Sequence, residues 1–320
     1  MLKSLMMHIK TVLTTTSSFS ASDPAPKAAL AGAGLTIHEN PFKRKLTEAE
    51  VSALLAEHKP VGLFAGIEPL TAKVLEASRG HLKVISRCGI GLDTVDLDAA
   101  KRLGISVFNT PDAPSQAVAE LTIGLMLAVL RRIAEADAAI RKGDWKATMG
   151  RLLGARTVGV VGMGRIGTRV ARLCSAFGCK VLAYDPNDKI MIPDGSERRS
   201  YDELIRRSDI ITLHIPLEPG TRNVVGAKEF EKMKKGAVLI NASRGGLVDE
   251  AALLDALKSG QLAGAGIDAF EAEPYLGPLR DLTQVVLTPH MGSAAKECRT
   301  RMEQEAADNL IAGLRALGVI

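Results

Sequence analysis

Short apolar runs rich in β-branched residues recur along this chain and alternate with stretches whose apolar positions fall three and four apart, the mark of strands alternating with helices. The runs predict strands over residues 61–65, 83–86, 106–109, 158–161, 180–184, 209–214, 237–241, 264–268 and 285–288, with a first buried strand over 8–13. The helical spacing predicts helices over 48–57, 71–77, 96–102, 117–132 and 250–259, the last with Asp249 as N-cap and Gly260 as its stop. A final helix over 294–317 is too long for a connector and is expected to return onto the first half of the chain. This alternation places the chain in the α/β class with parallel sheets.

The stretch TVGVVGMGRIGTRVARLCSAFGCKVLAYDP, residues 157–186, holds a strand, a glycine turn, a helix and a second strand in order. In a dinucleotide-binding unit Gly162 permits the tight turn, Gly164 lets backbone N–H groups approach a diphosphate, and Gly167 lets helix and strand pack closely. Ile166 opens the apolar face of the helix, and Arg165 stands where a cation adds a contact to the same phosphates. Asp185 lies 18 residues beyond Gly167, close to where a carboxylate meets the adenosine ribose hydroxyls. A carboxylate there repels a 2′-phosphate, so NAD is expected over NADP. Because this unit starts near residue 157, the half of the chain before it, with its own alternation, must form a separate domain, and FNTPDAP, 108–114, is the hinge candidate between them.

Composition narrows the partners. The 320 residues are 46% hydrophobic, enough for two cores, and 41 Lys and Arg against 36 Asp and Glu leave +5, which suits anionic small ligands. Aromatic residues make up only 3% and the basic residues are scattered, so no nucleic-acid platform is expected. The longest uncharged apolar run, 121–130, is too short for a bilayer core of about 30 Å, so no membrane partner is expected. Cys88, Cys174, Cys179 and Cys298 show neither a CxxC pair nor metal-ligand spacing, which points to reduced thiols, a cytoplasmic setting and no metal. The first twenty residues have lysines, a Ser/Thr run and no acid, as targeting peptides do, but His8 and Lys10 interrupt the apolar region and no cleavage pattern follows.

Three later segments place polar groups where strands end, the ligand-binding edge of open α/β sheets. NASRGG delivers Arg244 into a glycine-flanked turn, and a guanidinium fork suits a carboxylate. GIDAFEAEP ends a strand at Asp268 and places Glu273 five residues on. VVLTPHMGS runs a strand into Pro289, His290 and Gly292, and a histidine fixed there with a glutamate available is a candidate acid/base.

Together GMGRIG, Asp185, the LHIPL segment, NASRG, GIDAFEAEP and LTPHMGSAA, with RCGIGLD and VAELTIGLML upstream, resemble the signature segments of the D-isomer-specific 2-hydroxyacid dehydrogenase family over roughly residues 60–310. The resemblance implies a Rossmann cofactor domain, 110–290, inserted into a flavodoxin-like substrate domain, 1–109 and 291–320, with the active site in the cleft between them. By the same resemblance the activity is NAD-dependent hydride transfer to or from a small D-2-hydroxy or 2-oxo acid. It further implies that Arg244 holds the substrate, that His290 is the acid/base, and that Glu273 favours the histidine's protonated form and fixes its orientation. It assigns Asp268 to the nicotinamide carboxamide, Gly292 to a nearby backbone contact, Ala242 to the cofactor site, and His214, Pro216 and Thr221 to its adenosine and phosphate side. Ile90 and Gly91 match the turn whose amides meet the substrate carboxylate, and Ser115 falls in a segment that touches cofactor. The apolar helix from Ala117 onward resembles the segment that buries against a twin subunit, so a homodimer is expected.

Departures matter too. Phosphoglycerate-oxidising relatives carry a basic residue in the loop matching AGIEPLT, where this sequence has Glu68, which counts against phosphate recognition. Glu273 argues against the formate-oxidising branch, which has glutamine there, and an end at Ile320 predicts no regulatory domain and no amino-acid allostery. The substrate candidates are 3-phosphoglycerate, glyoxylate, hydroxypyruvate and D-lactate. Two other readings remain: an NAD-sensing, corepressor-like binding protein of the same fold, and an NADP-linked reductase, opposed by Asp185.

Overall fold

A computed structural model describes residues 10–320. His8 and Ile9 of the expected first strand, and the N-terminal segment compared with a targeting peptide up to residue 9, lie outside the described residues. The chain divides into two compact units, one reaching Pro114 and resuming at Ala294–Ile320, the other spanning Ser115–Ser293. The divisions fall slightly beyond residues 109 and 290. Residue 110 stays with the first unit because Thr110 exchanges hydrogen bonds with Gly89: its N–H donates to the Gly89 carbonyl at 3.0 Å, and its hydroxyl accepts from the Gly89 N–H at 2.8 Å.

In the first unit β1 (Thr11–Thr14), β2 (Thr36–Glu39), β3 (Gly62–Ala65), β4 (Val84–Arg87) and β5 (Ser106–Asn109) form one parallel sheet in the order β2-β1-β3-β4-β5, the flavodoxin order. Helices α1 (Ala25–Gly32), α2 (Glu48–His58), α3 (Ala72–Ala77) and α4 (Leu97–Arg102) follow successive strands. Leu13, Leu54, Leu55, Leu63, Val74, Leu75 and Ile85 are buried in one cluster between the sheet and the helices α2 and α3. The C-terminal helix Lys296–Ala316 packs against α1, β3, β4 and β5, burying Leu310 and Leu314. Its return onto the first half follows the sequence expectation. The strand β2 was not predicted: TIHE is four residues, three of them polar, at a sheet edge where little apolar pattern is needed.

Helix α5 (Ala113–Arg131) starts within the expected hinge segment, in the last two residues of the first unit's leading part, and runs on into the second, followed by α6 (Ile133–Arg141), set off from it by Arg132 in the left-handed conformation. Then come β6 (Thr157–Val161), α7 (Arg165–Ala176), β7 (Lys180–Tyr184), β8 (Ser196–Arg198), α8 (Tyr201–Arg207) and β9 (Ile210–Leu213). They are followed by α9 (Ala227–Lys232), β10 (Ala237–Asn241), α10 (Glu250–Lys258), β11 (Leu262–Ile267) and β12 (Val285–Leu287). The sheet order is β12-β11-β10-β9-β6-β7-β8, all parallel, which is the doubly wound dinucleotide-binding order with one added strand. Alternate strand residues feed two cores: Val158, Val160, Val238 and Ile240 with α5 and α7, and Val161, Leu213, Leu239 and Ile267 with α8 to α10. Burial on both faces explains the near-continuous apolar runs that made these strands legible. By length and composition α5 could cross a membrane, yet Val118, Ile123, Leu125, Met126, Val129 and Leu130 are buried in this unit's own core.

Candidate active site

The turn after β6 is built for a ligand with a backbone-close approach. Gly162 has φ +93°, and a Cβ on it would lie 2.4 Å from the His214 carbonyl oxygen; one on Gly167 would lie 1.9 Å from the Gly162 carbonyl oxygen. Both positions therefore demand glycine. Gly164 differs: a Cβ there would meet nothing within 4 Å. That open space lies at the N-terminus of α7, where Gly164 is the cap with no side-chain hydrogen bond and the first N–H groups carry partial positive charge. The residues present thus fit a diphosphate. Arg165 is exposed at the first helical position, beside Ile166. Asp185, nearly buried at the end of β7, accepts the Met163 N–H at 2.8 Å through one oxygen and the Asn187 N–H at 2.9 Å through the other. The residue expected to face a ribose therefore also braces the glycine turn.

Arg244, Glu273 and His290 come from the ends of β10, β11 and β12. The first two loops are forced together, because a Cβ on Gly245 would sit 1.9 Å from the Phe270 carbonyl carbon and 2.2 Å from the Glu271 nitrogen. Asn241 shapes the Arg244 turn, donating to the Arg244 carbonyl at 2.8 Å and accepting the Ser243 N–H at 3.1 Å. His290 adopts φ +50° in a tight turn closed by its N–H on the Thr288 carbonyl at 3.0 Å. Its Nδ1 lies 2.9 and 3.0 Å from the two Glu273 oxygens. An ionised carboxylate only accepts, so Nδ1 carries the hydrogen and Nε2 is left to exchange a proton.

Asp268, 1% exposed, accepts the Thr288 hydroxyl at 2.6 Å, the Met291 N–H at 2.8 Å and the Gly292 N–H at 2.9 Å. It clamps the histidine loop to the end of β11 and engages the Gly292 N–H. His214 lies under the glycine turn with Nε2 2.9 Å from the Thr212 hydroxyl, and burial drives its pKa down to about 3, so the imidazole is neutral across the working range. Thr221 closes its own loop, donating to the Pro216 carbonyl at 2.8 Å, and Ala242 is buried just past β10. Ser115 is buried in the first turns of α5.

In the first unit the turn after β4 directs its carbonyls inward. Arg87 donates to the Cys88 carbonyl, Thr110 N–H to that of Gly89 at 3.0 Å, and Asn109 Nδ2 to that of Ile90 at 2.7 Å. With its carbonyl oxygens held this way, the turn is suited to present the Ile90 and Gly91 amides to an anion. Glu68 does not act as a surface charge against phosphate: it is 1% exposed, accepts from the Thr15 hydroxyl and from the Gly66 N–H at 3.2 Å, and burial pushes its carboxyl up. All four cysteines are free and buried, with the Cys88 thiol pushed up to about 12 by burial. Among the described residues no cluster fit for a metal occurs. The sequence reading missed Thr288, Asn109, Thr110 and Glu250, whose partners are mostly backbone groups of other loops; a hydroxyl or amide at a strand end was the only signal available.

The family described as D-isomer specific 2-hydroxyacid dehydrogenase, NAD binding domain, matches residues 123–292. A D-3-phosphoglycerate dehydrogenase of Methanocaldococcus jannaschii is 43% identical over 292 residues, covering 86% of this chain and 55% of that protein, so the chain spans about half the length of this relative. A hydroxypyruvate reductase of Thermotoga maritima is 42% identical over 248 residues, covering 75% of this chain and 80% of that one. The crystal structure of a glyoxylate reductase from Paecilomyes thermophila is similar at a TM-score of 0.84 and 32% identity, covering 95% of each chain.

Proposed function

Because this chain belongs to the D-isomer specific 2-hydroxyacid dehydrogenase family, whose members are NAD-dependent oxidoreductases, we propose that it reduces a small 2-oxo acid to the D-2-hydroxy acid and runs the reverse oxidation. The glycine turn and Asp185 are the residues that would hold NAD, which when bound would supply or accept the hydride at C2. As charge grows on the substrate oxygen, the Arg244 fork stabilises it, and the His290 imidazolium, steadied by Glu273, delivers its Nε2 proton and is left neutral. The Ile90 and Gly91 amides are assigned to the substrate carboxylate. The observation that carries this reading is the His290–Glu273 pair at 2.9 Å, held at the same sheet edge as the open glycine turn. The exposed or loop-bound second-rank positions, Pro216, Thr221 and Gly292, serve as the walls of the cofactor site.

Four reduced thiols suit a cytoplasmic enzyme, and the partner is a small acid. The test is oxidation of NADH and of NADPH, followed at 340 nm, with glyoxylate, hydroxypyruvate, phosphohydroxypyruvate and pyruvate. Turnover with at least one acid is expected, with NADH preferred by about tenfold or more, since a like charge beside a 2′-phosphate costs upward of about 1.4 kcal/mol. Tight NADH binding without turnover of any acid would favour the sensor instead.

A second copy of the chain is the proposed partner, and its contact is moved from the sequence expectation. The helix from Ala117 is largely core; the unpartnered apolar residues follow it, with no residue of α6 buried and Trp145, Met149 and Leu152 exposed at 88%, 92% and 69%. Such a run is a self-association surface. Light scattering should give twice 33.9 kDa, and Trp145→Glu with Met149→Glu should shift it toward the monomer; a monomeric wild type would sink this assignment.

A further inference from the structure

The pair formed by His290 and Glu273 is only as fixed as the turn bearing Glu273, which is exposed over residues 271–274. Phe270, buried in the core, and Tyr275, stacked on it at 4.4 Å, anchor the two ends of the turn, and the Phe270 N–H donates to Glu273 Oε1 at 3.1 Å, which leaves the exposed residues between them to be fixed. Gly245 bears on the turn from one side by contact alone. The Glu271 side chain pairs with Arg222 at 2.8 Å, but both side chains are more than half exposed, which makes that pair weak. The Glu271 backbone, by contrast, donates its N–H at 2.8 Å to Glu250 Oε1, from the first residue of α10.

We propose that Glu250 is a positioning residue: it fixes, through the Glu271 amide, the turn that holds Glu273 against His290. The inference rests on the function proposed above. Its placement supports it. Glu250 lies in the first turn of a nine-residue helix whose cap, Asp249, already serves the Ala251 and Ala252 N–H groups, so the helix does not need Glu250 as a cap. Burial, helped by the nearby Glu271 charge, pushes its carboxyl above the ordinary range, so its placement costs free energy that the helix N-terminus offsets only in part. A bifurcated contact of 2.9 and 3.0 Å tolerates little drift, since a displacement of about 1 Å can lower turnover on the order of a hundredfold.

The experiment compares wild type, Glu250→Ala and Glu250→Gln as full-length protein. Glu250→Ala should lower kcat about tenfold with the NADH dissociation constant and Tm nearly unchanged, and Glu250→Gln, whose amide oxygen still accepts the Glu271 N–H, should restore it. Independently of turnover, the His290 imidazole signals of 15N-histidine-labelled protein with NADH, assigned with His290→Asn, should move toward those of a free imidazole in Glu250→Ala and stay at the wild-type positions in Glu250→Gln. Wild-type signals in Glu250→Ala, an equal defect in Glu250→Gln, or parallel loss of kcat, NADH binding and Tm would each overturn the assignment. If the wild type turns over no 2-oxo acid, the functional reading fails and the imidazole signals alone decide this one.

Discussion

His290→Asn is expected to lower turnover on the order of a thousandfold, the middle of the range for losing a general acid–base, while NADH affinity changes no more than about twofold. Two features make this the sharpest result. Nδ1 is committed to Glu273 at 2.9 Å, so Nε2 alone can exchange the proton and no described neighbour is bonded there to replace it. The backbone at φ +50° is one that asparagine tolerates far better than alanine, so the substitution removes the imidazole without unsettling the loop. Stopped-flow turnover and fluorescence titration of NADH measure the two quantities separately. Equal loss of both would mean that His290 shapes the cofactor site and is not the proton donor.

Gly245→Ala should be nearly as damaging from a position that touches no substrate. The added methyl would have to occupy space 1.9 Å from the Phe270 carbonyl carbon, and neither side of that contact is a flexible side chain. The two loops must part, at an overpacking cost of about 1–3 kcal/mol. Arg244 and Glu273 would then separate by the same displacement, and kcat should fall on the order of a hundredfold. The glycine turn at 162–167 is not part of that contact, so NADH should still bind within about threefold of wild type. Wild-type kcat in this variant would show that the spacing of the two loops does not govern catalysis.

How far the sequence reaches can be read from particular residues. Gly162 and Gly167 were legible because a steric requirement of the backbone is written directly into residue identity, and the strands around them because burial on both faces leaves uninterrupted apolar runs. The strand β8 was not, since Ser196–Arg198 pairs at an edge through backbone groups that any residue supplies. The burial of Glu68 was not legible, because nothing in AGIEPLT reveals that Thr15, some fifty positions earlier, lies beside it. For the apolar helix from Ala117, hydrophobicity alone does not distinguish an inner core from a subunit face; many of its apolar residues are buried in their own unit, and exposed Trp145, Met149 and Leu152 come after it. Glu250, Thr288 and Asn109 escaped for a common reason: each meets a group on a loop distant in sequence.

The double attachment of Asp185 bears on redesign. An engineer wishing to switch the coenzyme toward the phosphorylated form would first remove this carboxylate, but doing so with alanine also strips the acceptor from the Met163 and Asn187 amides and slackens the loop the new coenzyme must enter. A serine or asparagine in its place would keep one acceptor oxygen, enough for one of those two amides, so the productive route trades charge while retaining part of the scaffold.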